Sequence, residues 1–219
     1  MTDKHTLTTP TTDSKPAARG TDDDISAIKA DLRAAMNGVT AKSFRQSGTA
    51  YRLVYGVEIL RLRSIAATYE PSRKLALALW NDNIRETRML AVMLFPQDDF
   101  DSDMADLWTE SIRRDEADLA GLLVMERVAQ APYAAEKAFR WIADQSETLQ
   151  LCGFQTMTRL LMNGAQLSPD AEAELLDQSV SALPSDYLPL KKAVANTLLR
   201  LADNSPTIQH TIDKILSCS

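Results

Sequence analysis

Apolar residues recur in this chain at helical spacing, in one short run after another, with no convincing alternation of the strand type between them. That pattern restricts the fold to short amphipathic helices, each of which must cover its apolar stripe with that of a neighbour. The first run is Ile25, Ile28, Leu32 and Met36, preceded by Asp22, Asp23 and Asp24, a cap and acidic first turn. Val57, Leu60 and Ile65 lead to Tyr69, where Pro71 breaks the run. Near Ser72 a helix containing Leu75, Leu79 and Trp80 begins, and Asn81-Asp82-Asn83 separates it from a run through Phe95 that Pro96 stops. Further helices are predicted near 101–112, 116–130, 132–144, 147–163, 169–182, 187–203 and 206–217. Pro132, Pro169 and Pro206 fall near expected first turns, where a missing backbone N–H costs little. Exact repeats are absent, so the expected all-α architecture is either a curved stack of degenerate helix pairs or a compact irregular bundle.

With 219 residues, 45% of them hydrophobic, and only 7 glycines, the chain can bury a substantial core as one domain, expected over 22–219. Residues 1–21 hold 7 threonines with Pro10, Pro16 and Gly20, and read as a disordered tail. A formal charge of -6 means that any attraction to a phosphate backbone must come from a local basic face. Cys152 and Cys218 are too few for a disulfide scaffold and fit a reducing, cytoplasmic setting. No apolar run approaches the roughly 18 residues of a membrane span. Nor does the N-terminus show the apolar core of a secretion signal. No metal is expected, since His5 lies in the tail, His210 is alone on the last helix and neither cysteine has a ligand partner at finger spacing. The same scarcity of histidine argues against a histidine-activated nucleophile, and no glycine-rich phosphate loop is present. A monomer is expected.

The candidate functional residues are charged. Ile84-Arg85-Glu86-Thr87-Arg88-Met89-Leu90-Ala91 sets charges inside a strongly apolar run, which suggests an ionic clasp between stacked helices. Glu86 does not fully share the direction of Arg85 and Arg88, and Arg61 or Arg63 on the neighbouring helix is its expected partner. Arg61, Arg63, Arg73, Lys74, Arg85 and Arg88 form one basic stretch, and Lys191, Lys192 and Arg200 a second. If both lined one concave side, duplex phosphates would bridge them. Among the acids from Asp98 to Asp118, Asp118 stands apart because apolar residues surround it. A carboxylate so placed orients a water or balances a cationic transition state, or else accepts hydrogen bonds at a helix end or pairs with a core arginine.

The succession Tyr55-Gly56-Val57, Leu62-Arg63-Ser64-Ile65-Ala66, Leu79-Trp80 and Ile84 to Ala91 resembles the AlkD-like DNA alkylation repair family, over roughly residues 51–203. The resemblance implies a superhelix of HEAT-like repeats, an α-solenoid of antiparallel helix pairs. It also implies DNA glycosylase chemistry on alkylated purines in duplex DNA without a metal or redox cofactor. It makes Asp118 the catalytic aspartate, and Lys191, Lys192 and Arg200 fit its closing motif; with these, Arg63, Arg85, Arg88 and Arg114 are the candidate DNA contacts, and Glu86, Trp80 and Trp141 candidate structural residues. The pattern departs from the family at three places. Arg114 stands where an aromatic residue belongs, Leu149 and Leu151 or Cys152 stand where a tryptophan and a phosphate-binding arginine are usual, and Asn196 replaces a DNA-facing tryptophan. These departures imply a divergent member, with a noncatalytic scaffold that binds nucleic acid or protein as the alternative.

Overall fold

The computed structural model describes residues 20–204 and 208–217. Twelve α-helices are present among them: α1 (Thr21–Ala34), α2 (Gly38–Gln46), α3 (Ile59–Ala66), α4 (Arg73–Trp80), α5 (Arg85–Leu94), α6 (Ser102–Glu110), α7 (Ala117–Glu126), α8 (Ala134–Ile142), α9 (Glu147–Met162), α10 (Pro169–Ala182), α11 (Leu188–Asn204) and α12 (Gln209–Ser217). Two short 3₁₀ turns follow α5 and α7, and the one β-type pairing among the described residues is an isolated bridge between Leu53 and Ile84.

The helices form antiparallel pairs stacked side by side, as in a HEAT-like helical-repeat superhelix. Helices α4 and α5, α8 and α9, and α10 and α11 pack as pairs, while α3, α5, α7, α9 and α11 touch one after another in a second row. The first row is joined by side chains. Trp80 of α4 stacks on Trp108 of α6 with centroids 3.9 Å apart, and Asp106 of α6 reaches Lys137 and Trp141 of α8. One apolar cluster runs from Ile28 to Ile212 through both rows. No helix among the described residues is long and apolar enough to cross a membrane.

Local sequence explains most helix ends. Gly20 precedes α1, whose first turn holds Asp22, Asp23 and Asp24; Asn37, Ser72, Asp101 and Ser168 cap α2, α4, α6 and α10 through their side chains. Pro169 occupies the first turn of α10, as its spacing predicts, while Pro132 sits in the turn before α8. Pro206 and most of the expected tail at 1–21 lie outside the described residues. The helix expected over 116–130 is divided, because α7 stops at Glu126 and a 3₁₀ turn occupies Val128–Gln130. At the break, Arg127 donates from Nε to the Val92 carbonyl at 2.7 Å and from Nη2 to the Met93 carbonyl at 2.8 Å. Its guanidinium thereby closes the C-terminus of α5, where carbonyls have no partner inside the helix.

Gly56 has φ +74°, and a Cβ there would lie 2.5 Å from the Asn37 carbonyl oxygen, so only glycine permits the segment between α2 and α3 to pass so close. That close approach brings the backbone N–H groups of Tyr55 and Gly56 to Glu86.

Candidate nucleic-acid interface

The Arg85–Arg88 segment begins α5, and its charged side chains point into the protein. Glu86 is fully buried and accepts hydrogen bonds from the Tyr55 and Gly56 amides, each at 2.9 Å. This corrects the expectation that Glu86 reaches Arg61 or Arg63; Arg63 of α3 instead pairs with Glu126 of α7 at 2.6 Å. The backbone amides win because they sit where the Gly56 turn delivers them, whereas α3 presents Arg63 on its exposed side.

Arg85 and Arg88 are both buried among internal partners. Arg85 donates from Nη1 to Glu86 at 3.2 Å and through Nε and Nη2 to the Oδ2 of Asp118 at 2.8 and 2.6 Å, with its guanidinium 4.4 Å from the centre of the Phe44 ring. Arg88 pairs with the fully buried Glu116 at 2.5 Å and lies 4.3 Å from the centre of the Trp80 ring. Glu116 also receives the Arg113 guanidinium at 2.8 Å and the Arg113 amide at 2.8 Å. These pairs join α5 to the start of α7, and they commit the buried Arg85 and Arg88 guanidinium groups to internal carboxylates.

Asp118 stands in the first turn of α7, where the helix dipole favours a carboxylate. Its Oδ1 accepts the Leu119 amide at 2.9 Å, and its side chain keeps 36% of its exposure. It borders a cleft of about 480 Å³ with Phe44, Val57, Leu60, Arg85 and Met89. Arg114, just before α7, pairs with Asp186 and with Glu147 at 3.2 Å, its guanidinium 4.9 Å from the Tyr187 ring centre.

A second cleft, of about 400 Å³, opens between α7, α9 and α11. Gly121, Gln155, Thr158, Arg159, Lys192 and Asn196 contribute to its walls. Of the expected cations it holds Lys192; Lys191 is partly buried one residue before, and Arg200 is exposed further along α11 and pairs with Asp203 at 3.1 Å. Among the described residues, neither Lys192 nor Arg159 has a carboxylate at ion-pair distance.

Sequence reasoning misses Arg159, Gln155 and Thr158, because the resemblance puts the family's phosphate-binding arginine at the place of Leu151 or Cys152, where this chain has no cation. Both of those residues are fully buried, as Leu149 nearly is. The signal was helical phase: with Leu151, Phe154, Met157 and Leu161 inside, the opposite face of α9 carries Gln155, Arg159 and Met162. Trp80 and Trp141 are buried, donating their indole N–H groups to Ser111 Oγ at 3.2 Å and to Asp106 at 3.0 Å. No group of three or more His, Cys, Asp or Glu side chains among the described residues is placed to hold a metal ion.

Among solved structures, the chain is similar to a protein described as one of a new family related to the HEAT-like repeat DNA glycosylases with affinity for branched DNA structures. The two share 18% identity with a TM-score of 0.70, covering 87% of this chain and 80% of the other. No curated protein matches the sequence. The family model for DNA alkylation repair enzymes matches residues 28–209, which is most of the 219-residue chain, and the protein therefore belongs to the DNA alkylation repair family.

Proposed function

We propose that this protein is a noncatalytic DNA-binding member of its family that takes nucleic acid against the face formed by α7, α9 and α11. The observation that carries this reading is the state of the charges. Asp118, the carboxylate in the position suited to glycosidic chemistry, is held by two guanidinium nitrogens of Arg85, while Arg159 and Lys192 face the groove without carboxylate partners. A carboxylate stabilises a developing oxocarbenium ion through its negative field, and a guanidinium at 2.6 Å opposes that field. The branched-DNA affinity described for the structural relative supports the same reading. In this reading Arg159, Lys191, Lys192 and Arg200 supply phosphate contacts. Arg63 and Arg114 contribute by exchanging their carboxylate partners for phosphate, and Arg85 and Arg88 hold the fold.

A second reading, hydrolysis of the N-glycosidic bond of alkylated purines by Asp118, is favoured by the exposure of that side chain beside the cleft of about 480 Å³. Positive charge on an alkylated base already weakens the bond, so Asp118 would only need to stabilise the developing cation and position water. Fluorescence anisotropy with intact, nicked and three-way-junction DNA over a salt series, together with base release from methylated duplex, separates the two. Salt-dependent binding with base release at the level of buffer is the expected result. Release that Asp118→Asn abolishes would establish the catalytic reading, and absence of binding at low salt would remove DNA as the ligand.

A further inference from the structure

Gln155 of α9 carries an amide that the fold does not use. Its Oε1 is buried without a hydrogen-bond partner, and among the described residues its Nε2 has none either. A buried acceptor without a donor is unfavourable and calls for a reason. The Thr158 hydroxyl on the same wall is already committed, to the Phe154 carbonyl at 2.9 Å and the Thr197 hydroxyl at 2.8 Å. On the α7 side stands Gly121, where a Cβ would lie 3.7 Å from Gln155 Oε1 and 3.8 Å from Nε2. The amide therefore rests against bare backbone with no bond to hold it, and turning it into the groove breaks none. Asn196 of α11 presents a second amide to the same groove, exposed and likewise without an internal partner.

A DNA backbone does not account for these amides. An internal sugar–phosphate unit has no N–H or O–H to give Oε1, and no aromatic side chain lines the groove on which a base would stack. An extended polypeptide supplies what is missing, because each residue offers one N–H donor and one carbonyl acceptor, the complement of a carboxamide. The remaining walls suit its side chains. Val124, Met162, Pro189 and Ala193 are apolar, with Met162 54% exposed. Arg159 and Lys192 are exposed cations without carboxylate partners among the described residues, and they favour acidic groups on a partner.

We infer that the α7–α9–α11 groove is a docking site for an extended acidic peptide segment of a partner protein. The Gln155 and Asn196 amides bind its main chain, the apolar walls take side chains from one face of it, and Arg159 with Lys192 pairs with its carboxylates. This goes beyond the DNA-binding reading, because it gives the groove a protein ligand that competes with DNA for the same cations.

The test measures fluorescence anisotropy of a capped, fluorescein-labelled peptide of alternating glutamate and leucine, its analogue with backbone N–H groups replaced by ester oxygens, and a lysine–leucine counterpart. The proteins are wild type, Gln155→Leu, Arg159→Gln and a Lys74→Gln control on α4. Wild type is expected to bind the glutamate–leucine peptide with a Kd of about 10–100 μM and the ester about tenfold more weakly, and to leave the lysine–leucine peptide free. Gln155→Leu should weaken the peptide about tenfold and no longer distinguish it from the ester. Arg159→Gln should weaken binding and reduce its salt dependence, and Lys74→Gln should match wild type. Equal binding of peptide and ester by wild type, a comparison that needs no variant, overturns the inference. So does absence of peptide binding at about 1 mM. Duplex DNA measured alongside keeps the two readings apart: DNA bound without peptide removes this inference alone, and peptide bound without DNA removes the DNA-binding reading alone. Where both bind, the peptide should displace labelled duplex, and simultaneous binding places the peptide outside the groove and overturns the inference.

Discussion

Glu116 and Asp118 are two residues apart, yet the protein treats their charges differently. Glu116 has no exposure and holds Arg88 and Arg113, while Asp118 keeps a third of its surface and holds Arg85 alone. Removing one member of a buried ion pair leaves the other charged and poorly solvated, at a cost of about 3–5 kcal/mol. Glu116→Gln should therefore lower unfolding free energy by about that amount in urea titrations, and Asp118→Asn by distinctly less. Asp106 makes a pH-dependent contribution. Burial on its own would raise its carboxyl, but hydrogen bonds from Lys137, Arg140 and Trp141, with the Lys137 charge, outweigh this and hold it below the ordinary carboxylate value. A depressed folded-state pKa stabilises the protein above the unfolded value, near pH 4, and that stability is lost as pH falls through the folded value. Asp106→Asn should be less stable at neutral pH and show a shallower loss of stability below about pH 4, measured by urea midpoints at successive pH values.

Among elements, the junction of α5 and α7 depends on an arginine that the helix pattern conceals. Arg127 ends α7, and its guanidinium binds the Val92 and Met93 carbonyls of α5 and, through Nη1, the Gln97 side chain at 3.2 Å. Burial makes the charged form of Arg127 harder to keep, although Glu126 nearby offsets part of this. Hydrogen bonds from a charged donor contribute about 1.5–3 kcal/mol. Arg127→Ala should lower stability by at least that much and speed amide exchange in the last turn of α5, measured by hydrogen–deuterium exchange. A normal exchange rate there would show that the α5 carbonyls find other partners. The break in the predicted 116–130 helix has the same origin, since Arg127 leaves helical geometry to reach the α5 terminus. Sequence periodicity reports which face of a helix is apolar, but carries no record of a cap borrowed from another helix.

At the scale of the whole molecule, one apolar cluster spans both rows of helices from α1 to α12. Stacked repeats whose cores are continuous unfold together when the interfaces between them are strong. Far-ultraviolet circular dichroism and the fluorescence of Trp80, Trp108 and Trp141 should therefore report one coincident transition in urea, and separated midpoints would show that the C-terminal pairs unfold on their own. The net charge of -6 means that any attraction to a phosphate backbone has to come from a local basic face rather than from the molecule as a whole. Helices and many of their ends were legible in the chain, because apolar period, prolines and capping residues act within a few positions of one another. The charged segment at Arg85–Arg88 was legible as an ionic clasp, and the family through its order of short motifs. Which acid each arginine meets was not: Glu86 takes two amides delivered by the Gly56 turn, Asp118 takes Arg85, and Glu116 takes Arg88. The groove cation on α9 was likewise invisible until burial of Leu151 and Cys152 set the phase of that helix. Local spacing thus determines helices and the stripes they bury. Pairing of charges and the composition of a groove depend on how rigid helices from distant parts of the chain are brought together, and tertiary packing alone decides that.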